Sequence, residues 1–300
     1  MRNAYDKFLA AGIKLYAVSY DDQEALAEYA AKQDIPFTLL SDLNSEVIRR
    51  YGVFNTQVKP EDGIFYGVPY PGVFLADEDG LVMAKFFQDN YKKRTSAEMI
   101  IDAALGRIQL ADDAPQATTY DPDEVRITAA LHGGAGTLRQ GIVRELVVRF
   151  TLRDGLHIYG EPVPSGMVPT TISASGPPGL VFEAPIYPPS RSLRRQGMDV
   201  ELQVWKGEVD VRIPLHPNGV LASEVRPLDQ DSVTIKIAVR YQACDDDTCL
   251  LPRSEILTLE VPLDVTEVPA LPIHMGHGQR EGSFDSREYL KRLVKRKANS

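Results

Sequence analysis

The chain carries two cysteines, Cys244 and Cys249, both inside "YQACDDDTCLLP" (residues 241–252), with Asp245, Asp246, Asp247 and Thr248 between them. Two thiols at that spacing admit three chemistries: a static disulfide clip, half of a metal site, or a disulfide that exchanges with a partner. In the run ending at Tyr241 the odd positions Val233, Ile235, Ile237, Val239 and Tyr241 are apolar, which predicts a strand with those residues on the core. Continuing the alternation puts Cys244 on the outward face. A two-residue turn at Asp246-Asp247 then sets Cys244 directly opposite Cys249, with Cβ atoms about 4.5–5.5 Å apart, near enough to bridge. The pair is therefore expected at a surface. A bridge over so short a loop stabilises by only about 2 kcal/mol, a weak reason for a purely structural one. Structural zinc needs about four ligands, and no histidine or third cysteine lies nearby in sequence. Spacing alone leaves a static and an exchanging bridge both open. The three aspartates place negative charge beside the sulfurs, which disfavours thiolate. That matters less where the pair receives electrons as a disulfide and a partner thiol attacks.

The elements that must hold this hairpin are strands. Leu146, Val148, Phe150 and Leu152 alternate with polar neighbours, as do Val200, Leu202 and Val204, then Val211, Ile213 and Leu215. "EILTLEVPL" adds another. Many short alternating strands between Gly/Pro turns predict an antiparallel sandwich of immunoglobulin-like size over residues 124–265. Residues 111–123, "ADDAPQATTYDPD", lack periodicity and read as a linker. The last stretch, 266–300, reads as a tail with a short basic helix placing Tyr289, Leu290, Leu293 and Val294 on one side.

Residues 1–110 read differently. A helix over 3–11 stops at Gly12, and "IKLYAVS" is a short apolar strand of the kind buried in a parallel sheet. Asp21 and Glu24 have capping-box spacing for a helix with Leu26, Tyr29 and Ala30 on one face. A short helix over 46–51, a strand pair turning at Glu78-Asp79-Gly80 and a helix over 96–108 complete an α/β unit. The fold class predicted for the whole is two-domain, an α/β unit followed by an all-β sandwich. Neither half shows an internal repeat.

Three hundred residues fit two domains, and 43% hydrophobic with 25% charged residues is a globular composition. A net charge of −9 argues against a nucleic-acid partner. No apolar run approaches the roughly 18 residues of a membrane span. "MRNAYDKFLAAG" has no charged start followed by an apolar core, so no export signal is visible. "HGGAG" (132–136) lacks the Lys-Ser/Thr of a phosphate loop and reads as an ordinary loop. His274 and His277 of "HMGHG" show no third metal ligand, and Asp121, Asp123 and Glu124 read as solvated linker. No cofactor is implied.

Two family resemblances sharpen the reading. The sandwich resembles the amino-terminal domain of the DsbD family over about 124–265, on "YQAC" with a second cysteine and proline in "TCLLP", and on "DGLHIYGEPVPSGMVPTTISASGPPGL". The resemblance implies that Cys244 and Cys249 form a reversible disulfide, supported by Tyr241 and Gln242, serving a thioredoxin-like or redoxin partner. It also implies an aromatic loop shielding the cysteines, for which "FEAPIYPPS" around Tyr187 is the candidate. Residues 1–110 resemble the redoxin or AhpC/TSA branch of the thioredoxin superfamily, on "GIKLYAVSYDD", "IPFTLLSD", "VIRRYGV" and "YPGVFLADEDGLV". Pro71 falls where that fold keeps a cis-proline; the plainer alternative is a strand-start proline. The family's first core strand and its cysteine-bearing turn have no counterpart here, and residues 1–243 contain no cysteine. The thioredoxin-like sheet is thus expected to lack a central strand and to show two unpaired edges. A truncated chain, or a start codon assigned too late, is expected, with an upstream strand and cysteine turn in frame; the alternative is a degenerate redoxin domain kept for binding. The function these resemblances imply is thiol–disulfide exchange in an extracytoplasmic setting, with no peroxidase activity from this chain alone. The alternatives are a partner-binding module with a static clip, or a peroxiredoxin whose catalytic cysteine lies upstream.

Overall fold

The computed structural model describes residues 1–88, 90, 92–119, 124–194, 201–221, 230–245 and 247–264. The chain divides into two units, Met1–Ile108 and Gln109–Ser300. In the first, α1 (Tyr5–Ala10), β1 (Tyr16–Ser19), α2 (Gln23–Lys32), β2 (Thr38–Ser41), α3 (Glu46–Arg50), β3 (Gly72–Ala76), β4 (Val82–Phe87), β5 (Arg94–Thr95) and α4 (Ala97–Leu105) follow in order. Phe8 of α1 and Ile100 and Ile101 of α4 form its core, with Ile13, Leu15, Val73 and Phe86 packed against them. Helix α4 starts where the Ser96 side chain accepts from Met99 N–H and stops at Gly106 in the left-handed region, a common helix ending. The strands form two separate pairs, β1 with β2 in parallel and β3 with β4 antiparallel. The central strand that would join them is absent among the described residues, as the unpaired edges anticipate.

Two local expectations are corrected. The cap of α2 is Asp22, whose carboxylate accepts from Ala25 N–H at 2.8 Å, and not Asp21. Of the face expected on α2 only Leu26 is buried; Tyr29 is exposed, because β1 and β2 give the helix too little sheet to cover.

The second unit contains β6 (Gln116–Thr118), β7 (Val125–His132), β8 (Leu138–Arg139), β9 (Ile142–Leu152), β10 (His157–Tyr159), β11 (Thr171–Ser175), β12 (Leu180–Phe182), β13 (Arg191–Leu193), β14 (Leu202–Lys206), β15 (Glu208–Pro217), β16 (Ser232–Tyr241), β17 (Ala243–Cys244) and β18 (Arg253–Asp264). One sheet runs β12-β15-β9-β7-β6 and a second β11-β16-β18-β8. Their inner faces meet through Ile127, Leu146, Val148, Phe150, Val211 and Ile213 on one side and Ile235, Ile237, Val239, Leu257, Leu259 and Val261 on the other. Burial alternates strictly along β16, the period-two pattern of a strand with one face on a core.

Part of the expected linker is strand. Gln116, Ala117 and Thr118 pair with Ala130, Ala129 and Thr128 of β7, and the hydroxyls of Thr118 and Thr128 lie 3.1 Å apart. Three residues are too few to show a period in sequence. Residues 120–123 of the linker, with Asp121 and Asp123, the tail 266–300 and His274 and His277 lie outside the described residues.

A third, smaller sheet, β13-β14-β10-β17, positions the cysteines. Past Tyr241 the chain leaves β18 and continues as β17 beside β10, with His157 opposite Cys244 and Ile158 opposite Ala243. One face of this sheet, Ile158, Trp205 and Ala243, joins the sandwich core. The other carries Tyr159, Leu202, Val204 and Cys244 as a separate apolar cluster.

Candidate functional site

Cys244 and Cys249 are bonded, with their Cα atoms 4.1 Å apart across an antiparallel bridge. The expected opposition of the two residues is therefore found. Asp245 N–H donates to Thr248 O at 2.9 Å and Leu250 N–H to Ala243 O at 2.9 Å, which closes the hairpin around the bond. The Asp245 carboxylate accepts from the N–H groups of Asp247 (2.9 Å) and Thr248 (2.6 Å). At least one of the three acids is thus a turn former, its charge directed at backbone donors. Asp246 lies outside the described residues.

The two cysteines differ in access. Cys249 is exposed, whereas Cys244 is 0% exposed. The outward face was read correctly for Cys244, because the alternation does continue from Tyr241 through Ala243. Its expected position at a surface is corrected: Val163, Met167 and Leu193 pack over the cluster that contains it. Gln242 ties this cover to the hairpin. Its side-chain oxygen accepts from Val168 N–H at 3.0 Å, and its Nε2 donates to Leu250 O at 3.0 Å. A buried amide with both ends bonded fixes the loop over Cys244.

Beside Cys249 lie two residues that sequence reasoning did not single out. The Tyr159 hydroxyl is 3.8 Å from Cys249 Sγ and 3.1 Å from His157 Nε2, and both residues are fully buried. The rings of His157 and Tyr159 meet edge to face, centroids 5.2 Å apart. "HIY" places them two apart and so on one face of a strand. The missing signal was the pairing of β10 with β17, a contact between segments distant in sequence.

The remaining candidates sit elsewhere. Tyr241 points into the sandwich core, edge-on to Phe150 at 5.8 Å between centroids, on the side of the strand away from the sulfurs. Its phenol is pushed up to about 12, first by burial and then by the charges of Glu255 and Glu124. Tyr187 does not shield the cysteines: it stacks on Trp205 at 5.6 Å on the core side of the third sheet, and its hydroxyl accepts from Ile172 N–H. Pro71 immediately precedes β3, and the cis peptide among the described residues is Glu161–Pro162, not Tyr70–Pro71. The expected cis geometry at Pro71 is thus corrected to that of a strand-start proline, trans being favoured wherever no neighbour enforces cis. Gly133, Gly134, Ala135 and Gly136 of "HGGAG" all have positive φ and form a tight turn. Among the described residues no three His, Cys, Asp or Glu side chains gather as a metal would require. No helix among them is long and apolar enough to cross a membrane.

Comparison with known proteins follows the division into units. Residues 1–85 match the AhpC/TSA family, and residues 136–261 match the family "Thiol:disulfide interchange protein DsbD, N-terminal". The first part is 32% identical over 108 residues to chloroplastic peroxiredoxin Q of Sedum lineare, covering 36% of this chain and 52% of that protein. It is 29% identical over 106 residues to peroxiredoxin Bcp of Escherichia coli strain K12, covering 34% of this chain and 63% of the relative. The chain thus spans between half and two thirds of the length of these relatives. Among solved structures, the N-terminal periplasmic domain of ScsB from Proteus mirabilis aligns at 16% identity with a TM-score of 0.34, covering 49% of this chain and 51% of that one. One chain thus carries two family matches in succession, AhpC/TSA over residues 1–85 and the DsbD N-terminal family over residues 136–261.

Proposed function

We propose that this protein is a thiol–disulfide oxidoreductase that passes two electrons through the Cys244–Cys249 bond, entering at Cys249. The observation that carries the reading is the asymmetry of the pair, Cys249 an exposed residue and Cys244 sealed in an apolar cluster. A partner thiolate can reach only Cys249 Sγ without opening the fold. Its attack forms a mixed disulfide with Cys249 and breaks the bond to Cys244, whose sulfur takes the electron pair. In its apolar surroundings Cys244 is driven to the neutral thiol by uptake of a proton. The partner's second thiolate then attacks the partner sulfur of the mixed disulfide and releases Cys249 as thiolate. The partner departs as a disulfide, and the chain holds a dithiol that can run the sequence in reverse toward an oxidised acceptor.

Residues 1–243 hold no cysteine, so the partner dithiol lies outside these 300 residues. A thioredoxin-like or redoxin protein fits, because such proteins present a dithiol at a protruding surface and Cys249 is met at a hairpin tip beside exposed Leu251. The match to a thiol:disulfide interchange family supports the same class.

The test is a redox titration of the purified chain in glutathione and dithiothreitol buffers, with thiol alkylation and mass readout at both cysteines. A midpoint between about −180 and −270 mV is expected for an exchanging pair. A value below about −300 mV identifies a structural bridge and ends the proposal, as do two thiols that never oxidise.

A further inference from the structure

Cys249 must leave as a thiolate and attack as one, yet it shares its turn with carboxylates that oppose negative charge. Something has to offset them, and the buried side of the hairpin supplies it. We propose that His157, acting through the Tyr159 hydroxyl, holds a hydrogen-bond donor against Cys249 Sγ and so stabilises the Cys249 thiolate. This inference rests on the reading of Cys244–Cys249 as the exchanging pair.

A phenol has one hydrogen. Tyr159 Oη lies 3.1 Å from His157 Nε2 and 3.8 Å from Cys249 Sγ, so that hydrogen can be directed at one neighbour only. With the imidazole hydrogen on Nε2, His157 donates to Tyr159 Oη, and the hydroxyl hydrogen is turned toward sulfur. With the hydrogen on Nδ1 instead, Nε2 accepts the phenol hydrogen and Cys249 loses its donor. His157 thus acts as a positioning residue that decides where Tyr159 points, and Tyr159 touches the reacting atom. Both rings are fully buried and fixed edge to face, so little motion competes with this alignment. Lys206 stands opposite His157 in the register of β14, and Asp245 and Asp247 lie in the turn. On β17 the residue opposite His157 is Cys244 itself, and on β14 the residue opposite Tyr159 is Val204. The donor itself is fully buried, so it meets the sulfur from the protein side and not through bulk water.

The experiment is the rate of iodoacetamide alkylation at Cys249 in the reduced chain, followed by mass from about pH 5 to about pH 10. Tyr159→Phe keeps the ring that fills the cluster and removes only the hydroxyl. It is expected to lower the rate at neutral pH by about tenfold and to move the profile to higher pH, with the alkaline plateau unchanged. His157→Phe is expected to shift the profile in the same direction, to add nothing in the Tyr159→Phe background, and to be largely rescued by His157→Gln, whose amide can donate to the same oxygen. A Tyr159→Phe profile that superposes on the wild type overturns the relay. So does a His157→Phe shift that persists undiminished without the hydroxyl. The profile is read on the reduced chain with no partner present, so it reports on the relay whatever the redox titration says of the bond.

Discussion

Cys244 and Cys249 face each other 4.1 Å apart at Cα, yet Cys249 is an exposed residue while Cys244 is buried in a cluster packed by Val163, Met167 and Leu193. A hairpin alone cannot produce this difference, because opposed residues on one face of a two-stranded ribbon share their exposure. The cover does: Val163 and Met167, in the segment after β10, and Leu193 of β13 pack on the apolar cluster that holds Cys244.

The first prediction separates the two thiols. In Cys244→Ser the remaining Cys249 thiol is expected to react with iodoacetamide at least about tenfold faster than the Cys244 thiol left in Cys249→Ser, since reactivity follows access and thiolate character. Cys244→Ser should also accumulate a mixed disulfide when offered glutathione disulfide, while Cys249→Ser should not. Equal alkylation rates would show that the cover opens freely and that direction of entry is not set by burial.

Gln242 is the second. Replacing it with leucine leaves Val168 N–H and Leu250 C=O without the partners they have now. An unsatisfied buried group costs about 1–3 kcal/mol and these two are only part-buried, so Gln242→Leu is expected to lower stability in urea by about 1–3 kcal/mol. Because the lost bonds tie the loop to the hairpin, Cys244 in the reduced variant should also alkylate faster, while Cys249 changes little. A loss of stability with no change at Cys244 would mean that Gln242 supports the sandwich generally and not the cover.

How much of this was legible in sequence follows from how local each feature is. The alternation over 233–241 is a property of consecutive residues, and it correctly carries Ala243 to the core and Cys244 to the opposite face. The burial of Cys244 was hidden because its cover comes from Val163, Met167 and Leu193, far away in the chain. His157 and Tyr159 were hidden for the same reason: their strand is three residues long, and its place beside β17 is set by tertiary pairing. For Tyr241 two readings met: its alternation placed it on the core, while the family resemblance of "YQAC" placed it in support of the sulfurs. The odd offset from Cys244 keeps it on the core face, edge-on to Phe150. Both halves were legible as fold classes because each rests on periods that survive without tertiary knowledge.

Tyr241 also fixes a pH dependence. Its phenol titrates at about 12 in the folded chain against an ordinary value of 10.0, with burial the leading cause. The unfolded chain therefore loses this proton first as pH rises. The contribution to stability is fully present below pH 10.0 and falls away as pH approaches about 12. Tyr241→Phe removes the titrating group, so its stability in urea is expected to decline less than that of the wild type across that window. Parallel declines in the two proteins would place the alkaline loss on other groups.

The last prediction concerns the two units. In the first, among the described residues, β1 pairs with β2 and β3 with β4 as separate two-stranded sheets, and isolated two-stranded pairs are marginal in water. Tyr16 and Val18 of β1 and Leu40 of β2 are large apolar residues left exposed, so these strands gain little from burial. In the second unit Ile127 of β7 and Leu146, Val148 and Phe150 of β9 are fully buried within a continuous sheet. Amide hydrogen exchange depends on the free energy of local opening, which such burial raises. The amides of β1 to β4 are therefore expected to exchange well before those of β7, β9 and β15, and to do so in both redox states of Cys244–Cys249. If instead β1 to β4 were protected as strongly as the sandwich, their open edges would have to be covered by something beyond the pairs seen here, and native mass spectrometry of the same sample would reveal whether a second copy of the chain supplies it.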